Sequence, residues 1–116
     1  MYDINREIEE QFAVYGCSDI EIEEYTNDLY GLEVEFLALC TVVDPLDAYN
    51  AITNGNFRII PDVDNNNDLG WVLFNNIYPD LPLGVQEYLD CEKFARDYQY
   101  NVIGCFFDDG WIEITD

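Results

Sequence analysis

Apolar residues recur at helical spacing in three stretches of the first half of the chain. Residues 4–12 place an apolar side chain at every fourth position with Arg and Glu between them, and predict a short amphipathic helix. A longer apolar stripe predicts a helix over residues 28–41. Asp44-Pro45 is a strong helix start, because Asp caps free backbone N–H groups and Pro suits the first turn. It predicts a helix over residues 45–54.

Other patterns predict strands around these helices. Residues 12–15 are apolar or aromatic, and residues 20–23 alternate Ile and Glu with period two. We expect these two segments to pair as a hairpin through the turn at residues 16–19. Residues 57–61 predict a further strand, which a proline ends. The polar run at residues 62–68 is typical of a loop that leads into a helix cap.

The second half is predicted to form helices followed by a hairpin. Apolar side chains share a helical face over residues 68–77, a short helical turn is expected after Pro82, and a third helix over residues 91–100. The apolar runs 102–107 and 111–115 flank an Asp-Gly pair, which is a strong hairpin signal. The last strand offers an edge through which two copies can pair into a homodimer.

These elements define an α+β fold. The chain has 116 residues, enough for one domain or two very small ones. We place the boundary near residues 60–64, which gives two short α/β halves, residues 1–61 and 62–116. The expected molecule is small, elongated and acidic, with a C-terminal β-hairpin.

The charge of the chain is strongly unbalanced. It has 25 Asp and Glu residues against 4 Lys and Arg, a net charge of −21 at pH 7. An apolar fraction of 49% still predicts a folded protein rather than a disordered acidic one. Because Lys and Arg are the residues that bind phosphate backbones and anionic lipids, direct binding of nucleic acid or of a membrane surface is not expected.

Several functional classes are not expected. The chain has no histidine, which removes the commonest general base and most zinc sites. Cys17, Cys40, Cys91 and Cys105 lie far apart, mostly beside apolar residues, and are expected to be reduced core thiols. We therefore expect no enzyme, metal centre or cofactor. Without an apolar run of about 18–20 residues or a signal peptide, the protein is expected in the cytoplasm of a host cell.

Two acidic patterns superficially match catalytic or calcium sites. Residues 62–68 alternate oxygen ligands like the start of an EF-hand loop, but Asn67 and Leu73 take the positions of its glycine and its glutamate. Carboxylate pairs such as Glu9 and Glu10 are expected by chance in so acidic a chain, and no apolar pocket is evident around them. A solvated turn and an acidic surface explain both patterns.

The charge itself indicates a use, because self-repulsion destabilises a compact fold. B-form DNA carries one charge per about 1.7 Å, so one turn carries about 20 charges, close to the net charge of this chain. Carboxylates three or four residues apart on a helix lie about 5–6 Å apart, and such rows imitate phosphates. We therefore expect a DNA mimic whose partner-binding surface is distributed over Glu7, Glu9, Glu10, Glu21, Glu23, Glu24, Glu33, Glu35, Asp44, Asp47, Asp62, Asp64, Asp68, Asp80, Glu87, Asp108 and Asp109.

Residues 81–97 resemble the antirestriction motif of ArdA-type proteins. In that family a proline-preceded short helix leads into an acidic and aromatic run, followed by Phe, a small residue and Arg-Asp. The residues in register are Tyr88, Leu89, Asp90, Glu92, Phe94, Ala95, Arg96 and Asp97. The likeness continues over residues 106–113 and, more weakly, around residues 23–27. Cys91 replaces an expected tyrosine, and the chain is expected to lack the N-terminal domain of the family.

The resemblance implies a non-enzymatic DNA mimic, carried by a phage or mobile element. Such proteins occupy the DNA-binding groove of type I restriction-modification enzymes, usually as elongated dimers. Residues 1–61 would then correspond to the middle domain of the family and residues 62–116 to its C-terminal domain. Within the motif we expect structural roles for Tyr88, Phe94 and Arg96, and also for Asp90 as a helix cap and Asp97 as a partner of Lys93.

Two other partners remain open. A shortened mimic can instead block a CRISPR effector, whose basic channels also attract an acidic decoy. An acidic adaptor would bind a protein through exposed aromatic residues, with Tyr2, Tyr15, Tyr25 and Tyr30 as candidates. Salt separates these classes, because it screens a charged interface but not an aromatic one.

Overall fold

The computed structural model describes residues 3–80, 82, 84, 88 and 90–115. Within them lie six helices and three strands: α1 Ile4–Tyr15, α2 Asp19–Asp28, α3 Glu33–Leu39, α4 Pro45–Thr53, β1 Phe57–Pro61, α5 Asn66–Ile77, α6 Cys91–Gln99, β2 Ile103–Phe107 and β3 Gly110–Ile114. The molecule measures 58 × 32 × 20 Å, and its radius of gyration of 16.9 Å exceeds the roughly 13 Å of a compact chain of this length. The α+β class and the elongated shape are confirmed.

The strands form one antiparallel sheet in the order β1-β3-β2. The predicted Asp-Gly hairpin joins β2 to β3. Gly110 is required there, because a Cβ atom would lie 2.2 Å from the carbonyl oxygen of Ile60. The expectation that the last strand offers a free edge is wrong: β3 pairs on both sides, and β1 and β2 are the edges.

Side chains alternate between the two faces of the sheet, and each face has its own core. On one face Ile112 packs with buried residues of α1, α3 and α4, together with Leu29. On the other face Trp111 packs with residues of β1, α5 and α6. We call α1–α4 the four-helix layer and α5–α6 the two-helix layer. β1, which ends at the predicted boundary, pairs with β3, so one sheet carries both layers.

The predicted hairpin around residues 16–19 is wrong, because α1 continues through Tyr15 and α2 begins at Asp19. Gly16 ends α1 in the left-handed region at φ +102°. Ser18 then starts α2 with a capping box, in which its side chain and that of Glu21 bond each other's backbone N–H. These local bonds override an alternation of only four residues, and Ile20 is left 79% exposed on the helix.

The helix predicted over residues 28–41 is interrupted. Residues 25–28 lie inside α2, and α3 covers only Glu33–Leu39. Between the two helices Gly31 has φ +87°, a conformation that no α-helix continues through. Leu29 and Phe36 of the predicted stripe are nevertheless fully buried. The apolar pattern therefore identified the buried side chains but not the break.

The remaining predicted elements agree more closely. The helix that begins at Pro45 and the one that begins at Cys91 are confirmed, and α1 runs three residues past its predicted end. α5 begins two residues earlier than predicted, because the Asn65 side chain caps it by accepting from the Asp68 N–H at 2.9 Å. Ile77, expected on its buried face, is 55% exposed. The helical turn predicted after Pro82 lies mainly outside the described residues.

Candidate acidic interaction surface

Most of the carboxylates predicted to contact a partner are at the surface. Those exposed to solvent are Glu7, Glu9, Glu10, Glu21, Glu23, Glu24, Asp47, Asp62, Asp64, Asp80, Asp108 and Asp109. Those partly buried are Glu33, Glu35, Asp44 and Asp68. Glu87 lies outside the described residues. The helical members of this exposed set belong to α1, α2 and α4 of the four-helix layer. Asp80 follows α5, and the others lie in the loops at one end of the sheet.

Helix starts explain how the fold accommodates so many acids. Each of the six described helices has an Asp or Glu in its first turn, where the helix dipole favours negative charge. Among these helices only α6 has a basic residue in its last turn, Arg96. The acids in these first turns are therefore stabilised by backbone dipoles, and few basic side chains offset the negative field of the helices.

A groove between α1 and α2 concentrates carboxylates. Glu9 and Glu10 of α1 and Asp19 and Glu23 of α2 line an open volume of about 630 Å³. We call these four residues and the space between them the acidic groove. Arg6 also lines it and lies 3.8 Å from Glu10, but both side chains are mostly exposed. Such an exposed pair stabilises little and leaves most of the charge facing solvent.

A second concentration lies where two loops meet at the end of the sheet. Asp62, Asp64, Asp108 and Asp109 line an open pocket of about 560 Å³, and we call them the acidic tip. The backbone N–H of Asp62 donates to the carbonyl oxygen of Asp109 at 3.1 Å and holds the loops together. Asp62 has φ +63°, which Asp tolerates better than most residues. No group of three or more ligating side chains suited to a metal ion occurs in the described residues.

Several of the predicted contributors also hold the backbone. Asp44 accepts an N–H from the first turn of α4 at 2.8 Å, and Glu33 accepts one from Gly31 at 3.1 Å. Asp68 accepts one from the loop before α5 at 3.3 Å. Hydrogen bonds from Ser18 lower the pKa of Glu21, mainly the one from its backbone N–H. These carboxylates therefore serve the fold as well as the surface charge.

Two residues of the ArdA-like motif have the structural roles expected of them. Asp90 caps α6, with its carboxylate accepting from the Lys93 N–H at 3.0 Å. Phe94 is half-buried in the core of the two-helix layer and packs edge-on against Phe74, with ring centroids 5.6 Å apart. Phe94 therefore anchors α6 against α5, and Asp90 stabilises the start of α6.

Of the other described motif residues, Ala95 is fully buried in the same core, whereas Tyr88, Glu92, Arg96 and Asp97 are exposed. Arg96 lies 3.9 Å from Glu92 in an exposed pair, and Tyr88 is 89% exposed. The expected pairing of Asp97 with Lys93 is absent, since no ion pair within 4 Å joins these two described residues. Spacing alone makes such a pair sterically accessible, but long exposed side chains gain too little from it to be held together.

Sequence reasoning did not single out Glu113, a buried carboxylate that is 4% exposed. It accepts hydrogen bonds from Trp111 Nε1 at 2.9 Å and from the Tyr98 hydroxyl at 2.7 Å. Arg58 Nη2 lies 3.4 Å from it and donates to the Tyr98 oxygen at 2.7 Å. Burial and then the bond to Glu113 raise the pKa of Tyr98 to about 12. We call these four residues the Glu113 cluster.

The four cysteines lie in or beside the core, whereas of the candidate tyrosines only Tyr25 does, and Tyr15 is 49% exposed. All four cysteines are free thiols, and burial raises the pKa of Cys40 to about 12. Tyr25, a candidate for an exposed aromatic patch, packs against Phe12 and Tyr49 at centroid distances of 5.1 and 4.5 Å. Tyr30 is 87% exposed, and Tyr2 lies outside the described residues. Tyr25 is thus part of the core packing.

Comparison with known proteins identifies no family for this chain. No family model, curated protein or solved structure matches it. Among the described helices, none combines the length and the apolar character that crossing a bilayer requires. The interpretation of the acidic surface therefore depends on its geometry, its charge and the sequence motif.

Proposed function

We propose that this chain is a non-enzymatic DNA mimic that occupies the DNA-binding cleft of a type I restriction-modification enzyme. The observation that carries the proposal is the placement of exposed carboxylates along an elongated body with a net charge of −21. Three of the four basic side chains lie within 4 Å of a carboxylate, so little cationic surface interrupts the negative field.

The charge per unit length supports this proposal. A DNA duplex as long as the 58 Å axis of the molecule carries about 34 charges, at one per about 1.7 Å. The net charge of −21 over that length corresponds to one charge per about 2.8 Å. The molecule thus has more than half the linear charge of DNA. A cleft that attracts DNA through its positive field attracts this molecule in the same way.

The arrangement of the acids also supports the proposed DNA mimicry. The acidic groove belongs to the four-helix layer and the acidic tip to the loops beside the sheet, so the charge is spread along the body. A cleft that contacts many phosphates presents Lys and Arg along a comparable length. The resemblance of residues 81–97 to the antirestriction motif of ArdA-type proteins indicates type I enzymes as the target class.

The test is a competition assay. A type I restriction-modification enzyme is bound to a labelled duplex, and the protein is titrated in at low and at moderate salt. We expect displacement of the DNA at near-stoichiometric protein and weaker displacement as salt screens the charges. Polyglutamate of matched net charge is the control. It has no fixed arrangement of charges, so it should compete about tenfold less well or worse.

Two results would redirect the proposal. If the DNA is not displaced at either salt concentration, the type I enzyme is not the target, and a CRISPR effector is tested in the same format because its DNA channels are also basic. If displacement occurs but is insensitive to salt, mimicry is contradicted and an adaptor with an aromatic interface is favoured.

A further inference from the structure

A third groove, largely apolar, lies between α1, α3 and β2. Val34, Leu37, Phe106 and Phe107 line it together with the carboxylates of Glu7 and Asp108, around a volume of about 400 Å³. Both carboxylates are exposed, whereas Leu37 and the two Phe side chains are half-buried. The groove therefore combines apolar walls with exposed acids, and we call it the apolar groove.

The apolar groove adjoins the acidic tip. Asp108 lines both the apolar groove and the acidic tip. Helix α1 supplies Glu7 to the apolar groove and Glu9 and Glu10 to the acidic groove. A basic surface that covers the acidic tip therefore meets the apolar groove at Asp108.

We propose that the apolar groove receives a basic segment of the defence enzyme, with the aliphatic stem of a Lys or Arg against the apolar walls. The inference rests on the proposed function and adds a contact that DNA does not offer. Long basic side chains bury their stems on apolar surface while their charged ends reach outward, here toward Glu7 and Asp108. A second copy of this chain is disfavoured as the occupant, because two bodies of net charge −21 repel each other.

The experiment compares two identical changes that leave the net charge unaltered. Val34→Ser removes an apolar wall of the groove, where Val34 is 39% exposed. Val14→Ser is the matched control: Val14 is 90% exposed on α1 and lines none of the three grooves. In the type I competition assay Val34→Ser should weaken displacement about fivefold at both salt concentrations, because apolar contacts are not screened. Val14→Ser should stay within about twofold of the wild type.

A second variant fills the apolar groove with a larger side chain instead of removing an apolar one. Ala38, which also lines it, is changed to Leu, and the same loss is expected because the basic stem no longer fits. Circular dichroism and thermal melting check that each variant is folded. If Val34→Ser does not fold, Ala38→Leu alone decides the question, with Val14→Ser still the reference.

The outcomes separate this inference from the proposed function. If the wild type displaces DNA and the folded groove variants match Val14→Ser, the apolar groove is not used and only this inference is overturned. If the wild type displaces no DNA from the type I enzyme, the proposed function fails and the inference fails with it. If Val34→Ser converts a dimer to a monomer in sedimentation and leaves competition unchanged, the groove binds a second copy, which also overturns the inference.

Discussion

The acidic groove and the Glu113 cluster show two opposite ways of placing carboxylates on the same frame. In the groove, four exposed acids face one another across two helices, and Arg6 is the basic side chain beside them. Under α6, Glu113 is almost completely buried and held by Trp111, Tyr98 and Arg58. The first arrangement accumulates repulsion at the surface, and the second removes one charge from water.

We expect the two sets of carboxylates to contribute to different properties. A buried charge is tolerable only with particular partners, so its effect on stability is large and specific. Exposed charges interact through water, and salt screens these interactions, so each one contributes little free energy. Because each acts on every neighbouring charge, the contributions add up. Changes in the Glu113 cluster should therefore alter stability, whereas changes in the acidic groove should alter binding.

The largest expected effect is the loss of stability on Glu113→Ala. The change leaves the buried indole N–H of Trp111 without an acceptor and creates a cavity, and it should lower the free energy of unfolding by about 3 kcal/mol. Urea unfolding followed by tryptophan fluorescence measures the loss. Glu9→Ala, at an exposed site of the acidic groove, is the control and should stay within about 0.5 kcal/mol of the wild type. Equal losses of unfolding free energy in both variants would contradict the expected difference between the Glu113 cluster and the acidic groove.

The second effect concerns binding. Neutralising the acidic groove with Glu→Gln and Asp→Asn changes at Glu9, Glu10, Asp19 and Glu23 should weaken competition with DNA at low salt by about thirtyfold, from about 0.5 kcal/mol for each charge. The matched control makes the same four-charge reduction with single neutralisations in four different elements or loops, at Glu24, Asp47, Asp80 and Asp97. The control variant should lose less of its ability to compete with DNA, because each neutralised site keeps acidic neighbours. A larger loss in the control would show that the groove is not the main contact.

Short-range signals account for the elements that the sequence predicts well. Asp44-Pro45 and Asp109-Gly110 each determine the backbone within about four residues, so the start of α4 and the C-terminal hairpin are predictable. At residues 16–23 two local signals compete. The Gly16 and Ser18 caps favour helices, whereas the Ile-Glu alternation favours a strand, and four alternating residues are too few to prevail.

The sequence predicts which acids are exposed at the candidate surface, but it does not predict which of them lie close together. Exposure of Glu9 and Glu23 follows from their polarity, yet their meeting across one groove depends on how α1 packs on α2. Glu113 illustrates the limit further. Its place two residues after Trp111 on a strand puts both on one face, but its ion pair with Arg58 spans 55 residues of sequence.

A smaller effect is expected inside the Glu113 cluster from Tyr98→Phe, which removes the hydroxyl and should cost about 1 kcal/mol near neutral pH. The change also alters the pH profile. Because folding raises the pKa of Tyr98 from 10.0 to about 12, its contribution to stability is complete below pH 10 and is lost as pH rises toward 12. Urea midpoints measured from pH 8 to pH 12 should therefore fall less steeply in Tyr98→Phe than in the wild type.

Two further tyrosines calibrate that measurement. The hydrogen bond to Asp28 raises the pKa of Tyr49 to about 12, so part of the alkaline loss should persist in Tyr98→Phe. Tyr30→Phe, at a side chain that is 87% exposed, should keep the stability of the wild type. If Tyr98→Phe retains the full alkaline loss, the hydroxyl of Tyr98 does not stabilise the buried carboxylate in the way inferred.

The smallest expected effects come from single-charge changes in the acidic groove. They test whether the partner responds to the negative field of many carboxylates together. Glu9→Gln removes one charge from the acidic groove, and Asn27→Asp adds one on the α2 side of the same groove. At low salt the first should weaken competition about twofold and the second should strengthen it by a similar factor, since one exposed charge contributes less than about 1 kcal/mol. Both differences should shrink at moderate salt, because the same screening acts on each.

A hotspot interface predicts instead that one substitution abolishes competition and that adding a charge nearby restores nothing. Opposite and nearly equal changes from Glu9→Gln and Asn27→Asp can arise only if the partner responds to the summed charge of the groove rather than to one carboxylate.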